Sequence, residues 1–179
     1  MPRGVLYIVV CVSPRASRIG ELVARAQAAG WDVCVVSTPD GLRFIDRAAL
    51  EHQTGHPLPY EYRRPDEANL LPPPDAVVVC PATFNTINKL AAGISDTLAL
   101  GLLTEAIGNG LPVVVAPSLN SAQAMHWAFT RNIGELRAAG VIVLYGPGVY
   151  EPGPPGTGGR PYDWELPLRA LHAAVDGSR

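Results

Sequence analysis

The sequence predicts an α/β fold built on an open parallel sheet, for three reasons. Short, almost wholly apolar runs recur at 5–13, 31–37, 76–80, 111–116 and 141–144, as strands buried on both faces require. Stretches with helical spacing of apolar residues separate most of them. Small polar residues cluster just after the strands, at the ends where open parallel sheets bind ligands.

The chain has 179 residues, 47% of them hydrophobic, and a formal net charge of -2. That length suits one domain, 1–179, with a sizeable core. No basic stripe or acidic tail is present, which argues against nucleic acid as a partner. No apolar run reaches a membrane span, and the first strand flows into a polar turn rather than a cleavage site. A cytoplasmic protein without a membrane partner is therefore expected. Cys11, Cys34 and Cys80 each lie inside an apolar run and read as small buried hydrophobes, with no disulfide framework or metal site.

The first strand, 5–13, turns at Pro14 into a helix carrying Ile19, Leu22, Val23 and Ala26, with Ser17 as its cap and Gly30 as its stop. The second strand, 31–37, completes a strand–helix–strand unit of a length suited to a right-handed parallel crossover. Its first turn has no G-x-G-x-x-G, and its second strand ends at Ser37, Thr38 and Pro39 rather than at an acid for a ribose. A dinucleotide site is disfavoured. Ser13, Ser17, Ser37 and Thr38 instead bring hydroxyls to two strand ends, which suits a phosphate; each is equally a capping residue, and Ser37 or Thr38 can start a short helix through Leu42, Ile45 and Asp46. Arg15 and Arg18 either assist an anion or form a solvated face.

From 47 to 74 the periodicity weakens, and an irregular connection with at most one short strand is expected. His52 and His56 fall there, either catalytic or simply solvated, and the prolines at 72–74 stiffen the entry to the third strand. That strand, 76–80, halts at Pro81 and gives way to Thr83, Asn85, Thr86 and a helix over 85–92. The hydroxyls, amide and backbone N–H groups at this helix start either face an anionic ligand or merely cap the helix. Gly93 breaks the helix, and Asp96 caps a longer one through Leu98, Leu102 and Ile107.

The strand 111–116 is followed by Pro117, Ser118, Leu119 and Asn120, where a second ligand loop belongs; Asn120 is a site candidate or a turn former. Ser121 opens a helix carrying Met125, Trp127, Ile133 and Leu136, and 141–144 is the last strand. The segment 146–162, dense in Gly and Pro, reads as a mobile loop: a flap over a substrate or a plain linker to a final helix near 164–175. Within it 156–160 is a weak phosphate-cradle candidate, because prolines crowd it.

Residues 81–98, with Pro81, Asn85, Thr86, Lys89, Gly93 and Asp96 at the fixed positions, resemble the signature of the homo-oligomeric flavin-containing cysteine decarboxylases. That signature runs Pro-Ala-(Ser/Thr)-x-Asn-Thr, then Lys-x-Ala-x-Gly-Ile-x-Asp. Residues 116–120 are similar to a second family motif, Pro-Ala-Met-Asn, and 125–133 to the Met-Trp helix start after it. The resemblance covers most of the chain and implies a Rossmann-like, flavodoxin-like three-layer sandwich that binds FMN between the subunits of a homotrimer or a multiple of one. It implies FMN contacts from Ser13, Ser17, Ser37, Thr38, Thr83, Asn85 and Thr86, with Asp96 at a further family position. Asn120 would grip the carboxylate of a substrate cysteine beneath the flap.

Three positions depart from the pattern. Asp66 or Glu67 stands where the family has a histidine, and either becomes a candidate base if burial tunes its pKa. The flap cysteine of the coenzyme A pathway enzymes is replaced around Glu151, Pro152 and Gly153, and Val12 with Ser13 replaces a glycine turn. The implied function is FMN-dependent oxidative decarboxylation of a peptide's C-terminal cysteine to an aminoenethiol, in peptide natural-product biosynthesis. The rivals are a flavin-binding subunit or regulator without decarboxylase activity, and a phosphopantothenoylcysteine decarboxylase, which the missing flap cysteine disfavours.

Overall fold

The structure is a computed structural model and describes residues 3–157 and 161–177. Among the described residues, five strands pair in parallel in the order β2-β1-β3-β4-β5: β1 is Gly4–Val10, β2 Trp31–Ser37, β3 Ala76–Ala82, β4 Val113–Pro117 and β5 Ile142–Val143. The α-helices are α1 (Gly20–Ala28), α2 (Arg47–Thr54), α3 (Phe84–Ala91), α4 (Leu98–Gly108), α5 (Ser121–Ala124), α6 (Trp127–Ala138) and α7 (Leu166–Gly177).

Leu6, Ile8 and Val10 of β1 point to one face of the sheet and Tyr7 and Val9 to the other, and all five are buried. Burial on both faces is why the strands are continuous apolar runs rather than alternating ones. On the first face pack Leu22, Val23 and Ala26 of α1, Leu50 of α2, and Leu168 and Leu171 of α7. On the second pack Ile87 and Leu90 of α3, Leu100 and Leu103 of α4, and Phe129 and Ile133 of α6. Each large side chain buried this way contributes about 1.5–3 kcal/mol, and together they make the three-layer, flavodoxin-like sandwich.

Local chemistry moves several boundaries. Ser17 does not cap α1, because Pro14 starts an earlier 3-10 turn, Pro14–Arg18, capped by Ser13; Ile19 precedes α1 without a side-chain cap. Pro81 does not halt β3. It lies inside the strand, where the register against β4 slips between Val79 and Ala82, and such irregular positions tolerate a residue with no N–H. The connection after β2 contains α2, capped by Asp46 and closed by Gly55 at φ 73. Only Leu50 of α2 is buried, so its apolar periodicity is faint, and no strand forms there among the described residues. Thr97, not Asp96, caps α4, accepting from the Leu100 N–H at 3.3 Å. The single helix expected after Ser121 is two, because His126 caps a new start: its Nδ1 accepts from the Ala128 N–H at 3.2 Å.

The connection from β1 runs to β2 on one side, and that from β3 to β4 on the other. The sheet therefore reverses direction between β1 and β3, and a crevice opens at their carboxyl ends.

Candidate functional site

A cavity of ≈ 680 Å³ occupies that crevice. The ends of β1, β2, β3 and β4 supply its floor. After β1, Ser13 is almost fully buried, and its Oγ accepts from the Arg15 N–H while lying 3.0 Å from Ser118 Oγ, which follows β4. After β3, Thr83 caps α3: its Oγ1 accepts from the Thr86 N–H at 3.3 Å and donates to Thr86 Oγ1 at 3.1 Å. Asn85 is exposed on the first turn of α3, beside the N–H groups that a helix start leaves without intrahelical acceptors. After β2, Thr38 caps a 3-10 turn, Pro39–Phe44, accepting from Gly41 N–H at 3.2 Å. Gly41 is required there: a Cβ would sit 2.6 Å from Ser37 Oγ and 2.8 Å from the Val10 carbonyl oxygen.

The opposite wall comes from the β4 end and the Gly/Pro-rich segment. Asn120 caps α5 in a reciprocal box with Gln123, its Oδ1 accepting from the Gln123 N–H at 2.9 Å. The cap uses the carbonyl half of the amide, which leaves its NH₂ half as the donor for a ligand. Tyr150, Gly153, Pro154, Gly156 and Thr157 complete the wall, with the Tyr150 hydroxyl donating to the Leu119 carbonyl at 3.1 Å. Arg15 and Lys89 bring positive charge to the lining and Asp40 negative; Lys89 also pairs with Asp96. Val12, Phe84, Leu100 and Leu119 supply apolar surface.

Of the residues expected from sequence, Ser13, Thr38, Thr83, Asn85, Thr86 and Asn120 thus line one cavity. The other five are not among its described lining residues. The Ser17 hydroxyl donates to the Pro14 carbonyl at 3.0 Å. Ser37 is fully buried and donates to the Thr38 carbonyl at 2.8 Å, a prop beneath the wall. Asp96 reaches the site only through Lys89. Asp66 and Glu67 lie on an exposed loop, where the Glu67 carboxylate accepts from the Arg64 N–H at 2.9 Å. His56 pairs with Asp32 at 2.7 Å and His52 ends α2, both outside the lining. The expected cradle at 156–160 lies partly outside the described residues, which stop at 157 and resume at 161.

The thiols beneath the site are held neutral. Burial pushes Cys11 up, against its hydrogen bonds with Thr86 and Thr83; burial likewise pushes Cys80 up to about 12. Burial also raises the Tyr162 phenol, whose hydroxyl lies 3.2 Å from Cys80 Sγ.

The sequence model of the Flavoprotein family matches residues 4–158. This chain belongs to the Flavoprotein family. The coenzyme A biosynthesis bifunctional protein CoaBC of Thermococcus kodakarensis is 34% identical over 117 residues, 63% of this chain and 29% of that protein. The match thus spans less than a third of that relative. The FMN-dependent cysteine decarboxylase TvaF from thioviridamide biosynthesis is similar at a TM-score of 0.72 and 25% identity, covering 94% of this chain and 98% of that one. A variant of EpiD complexed with a substrate peptide, DSYTC, shares the fold at a TM-score of 0.76 and 21% identity, covering 96% and 99%.

In this Flavoprotein family member the cavity also uses Gln123 and Tyr150, which the sequence does not point to, and Ser118 and Lys89, which fall in the expected ligand loop and the family signature but have no role assigned from sequence. Ser118 was open to the same argument as Thr83, since it follows a buried strand's carboxyl end. Tyr150 carried no such signal, because its place depends on how the Gly/Pro-rich segment folds back.

Proposed function

We propose that the protein binds FMN in the cavity and oxidatively decarboxylates the C-terminal cysteine of a peptide, yielding an aminoenethiol for peptide natural-product biosynthesis. The observation that carries this reading is the pairing, across one cavity, of a hydroxyl-rich strand-end floor with the amide of Asn120 under the Gly/Pro-rich segment. Floor and walls suit the cofactor: hydroxyls and α3 N–H groups match a phosphate, and Phe84, Leu100 and Leu119 match a flat ring.

When bound, FMN supplies the two-electron oxidation of the cysteine side chain that lets carbon dioxide leave. The chain's own residues orient and enclose. Thr83, Asn85, Thr86, Ser13 and Thr38 hold the cofactor, with Ser17, Ser37 and Asp96 acting through the turns and the Lys89 pair that support them. The Asn120 NH₂ would donate to the cysteine carboxylate and hold the peptide's end in the cavity. The segment from Tyr150 to Thr157 excludes water. Asp66 or Glu67 serves as base in this reading. Both lie outside the lining of their own cavity, so the role requires a second copy to bring the loop in, as a homotrimer binding FMN between subunits would.

The test is to incubate purified protein with cysteine-ending peptides and follow the mass of the product. Loss of carbon dioxide with two hydrogens is expected; an unchanged peptide in the presence of bound flavin overturns the reading. A second reading, decarboxylation of phosphopantothenoylcysteine, is favoured by the 34% identity to the coenzyme A protein. Turnover of that compound with no turnover of peptides would select it. A flavin-binding subunit without activity is favoured by the lack of a histidine among the described lining residues, and predicts a yellow protein inert to both substrates.

A further inference from the structure

The Gly/Pro-rich segment is gathered at two points by one side chain. The Arg15 guanidinium lies 5.6 Å from the ring centroid of Tyr150, near the segment's start, and 5.0 Å from that of Tyr162, at its end. Both tyrosines are fixed independently. The Tyr150 hydroxyl is bonded to the Leu119 backbone, and Tyr162 sits edge-on to Trp164 with its hydroxyl on Cys80 of β3. Between them the Gly153 carbonyl accepts from the Ser121 N–H at 2.8 Å, next to Asn120. A planar guanidinium can lie against two aromatic faces at once, which a compact ammonium does less well. Arg15 itself stands on the turn after β1, beside Ser13, so it is fixed to the rigid end of the sheet. Its neighbour Arg18 turns away, pairing with Glu21 at 2.6 Å on the surface.

We infer that Arg15 is a positioning residue that, through Tyr150 and Tyr162, seats residues 150–157 against the cavity, and so sets how often the Asn120 side of the site opens. The inference rests on the decarboxylase reading only in taking that side as the substrate's entrance; the seating belongs to the protein without any ligand. It ties the cover to the floor of the cavity at both tyrosines with one charged side chain, in addition to the Leu119, Ser121 and Cys80 contacts.

Hydrogen exchange read by mass spectrometry on the full chain tests it. Two amides report directly: Tyr150 N–H, which donates to the Gly146 carbonyl, and Ser121 N–H, which donates to Gly153. In Arg15→Met both are expected to exchange about tenfold faster, while amides of β1 and β3 keep their rates. Arg15→Lys should recover part of the protection, and Arg18→Met should match the wild type. Unchanged rates at the two amides in Arg15→Met, or an equal rise across the sheet, overturn the inference. If Arg15→Met does not fold, Tyr162→Leu removes one of the two rings and must loosen the same amides, or the inference falls. Because exchange needs no substrate, a failed decarboxylation assay leaves this result standing, and a failed exchange result leaves the assay standing.

Discussion

The Ser13 and Ser118 hydroxyls lie 3.0 Å apart, joining the ends of β1 and β4 across the end of the strand between them. The pair forms part of the cavity floor without belonging to either flanking helix. Replacing Ser118 with Ala removes one hydroxyl, and a hydrogen bond of this kind contributes about 0.5–1.5 kcal/mol. FMN affinity is expected to fall about two- to twelvefold, and the thermal midpoint of the flavin-free protein to fall by about a few degrees. Titration of flavin-free protein by flavin fluorescence measures it.

Asn120 has two roles that substitution can separate. Asn120→Ala loses the cap of α5, at a cost of about 1 kcal/mol, and the amide proposed for the substrate carboxylate. Asn120→Ser keeps a capping oxygen and loses only the amide. We expect near-native stability, retained flavin and no turnover in Asn120→Ser; normal turnover there would remove Asn120 from the substrate site.

Stability should depend on pH through α7. Trp31 Nε1 donates to His172 Nε2 at 3.0 Å, which requires that nitrogen to be unprotonated. Burial, with Arg3 adding to it and Asp176 and Glu165 opposing, lowers the His172 pKa below its ordinary value. The unfolded chain therefore binds the proton more readily, so stability holds above about pH 6.5 and declines as the pH falls below it. Thermal midpoints between about pH 7.5 and 5.5 should show this decline, and His172→Gln should flatten it.

The three cysteines should be inert in the folded protein. All are buried, and burial pushes Cys34, like Cys80, up to about 12, with Asp32 adding to the effect on Cys34. A disulfide reagent at about pH 8 should find no thiol until denaturant is added, and then all 3.

Some of this was legible in the sequence and some was not, for physical reasons. β2 matches its expected range because Gly30 and Pro39 bracket a run that is apolar except for Asp32 and the terminal Ser37, so local signals fix both ends. The Thr83 cap and its neighbours were visible for the same reason: a strand end and a helix start share one short stretch. Ser118 is legible as part of a strand-end loop, but its pairing with Ser13 is not, because that partner lies 105 positions earlier and only the sheet order brings the two together. α2 was missed because it buries a single leucine, so capping by Asp46 and Gly55 had to carry what periodicity could not. The docking of Tyr150 depends on Arg15 and Leu119, contacts that no local pattern encodes.

The two borders of the sheet are closed to strangers by different means. β5 pairs over only Ile142 and Val143, too short a template for an incoming strand to lengthen profitably. β2 is seven residues long, and a strap from its own chain covers its carboxyl end: the Ser37 N–H donates to the Pro59 carbonyl at 3.0 Å, while the Asp32 side chain is engaged by His56 at 2.7 Å. One border is limited by brevity and the other is covered at its carboxyl end by a strap from its own chain, which shortens the template that this apolar sheet offers to fibrous self-association.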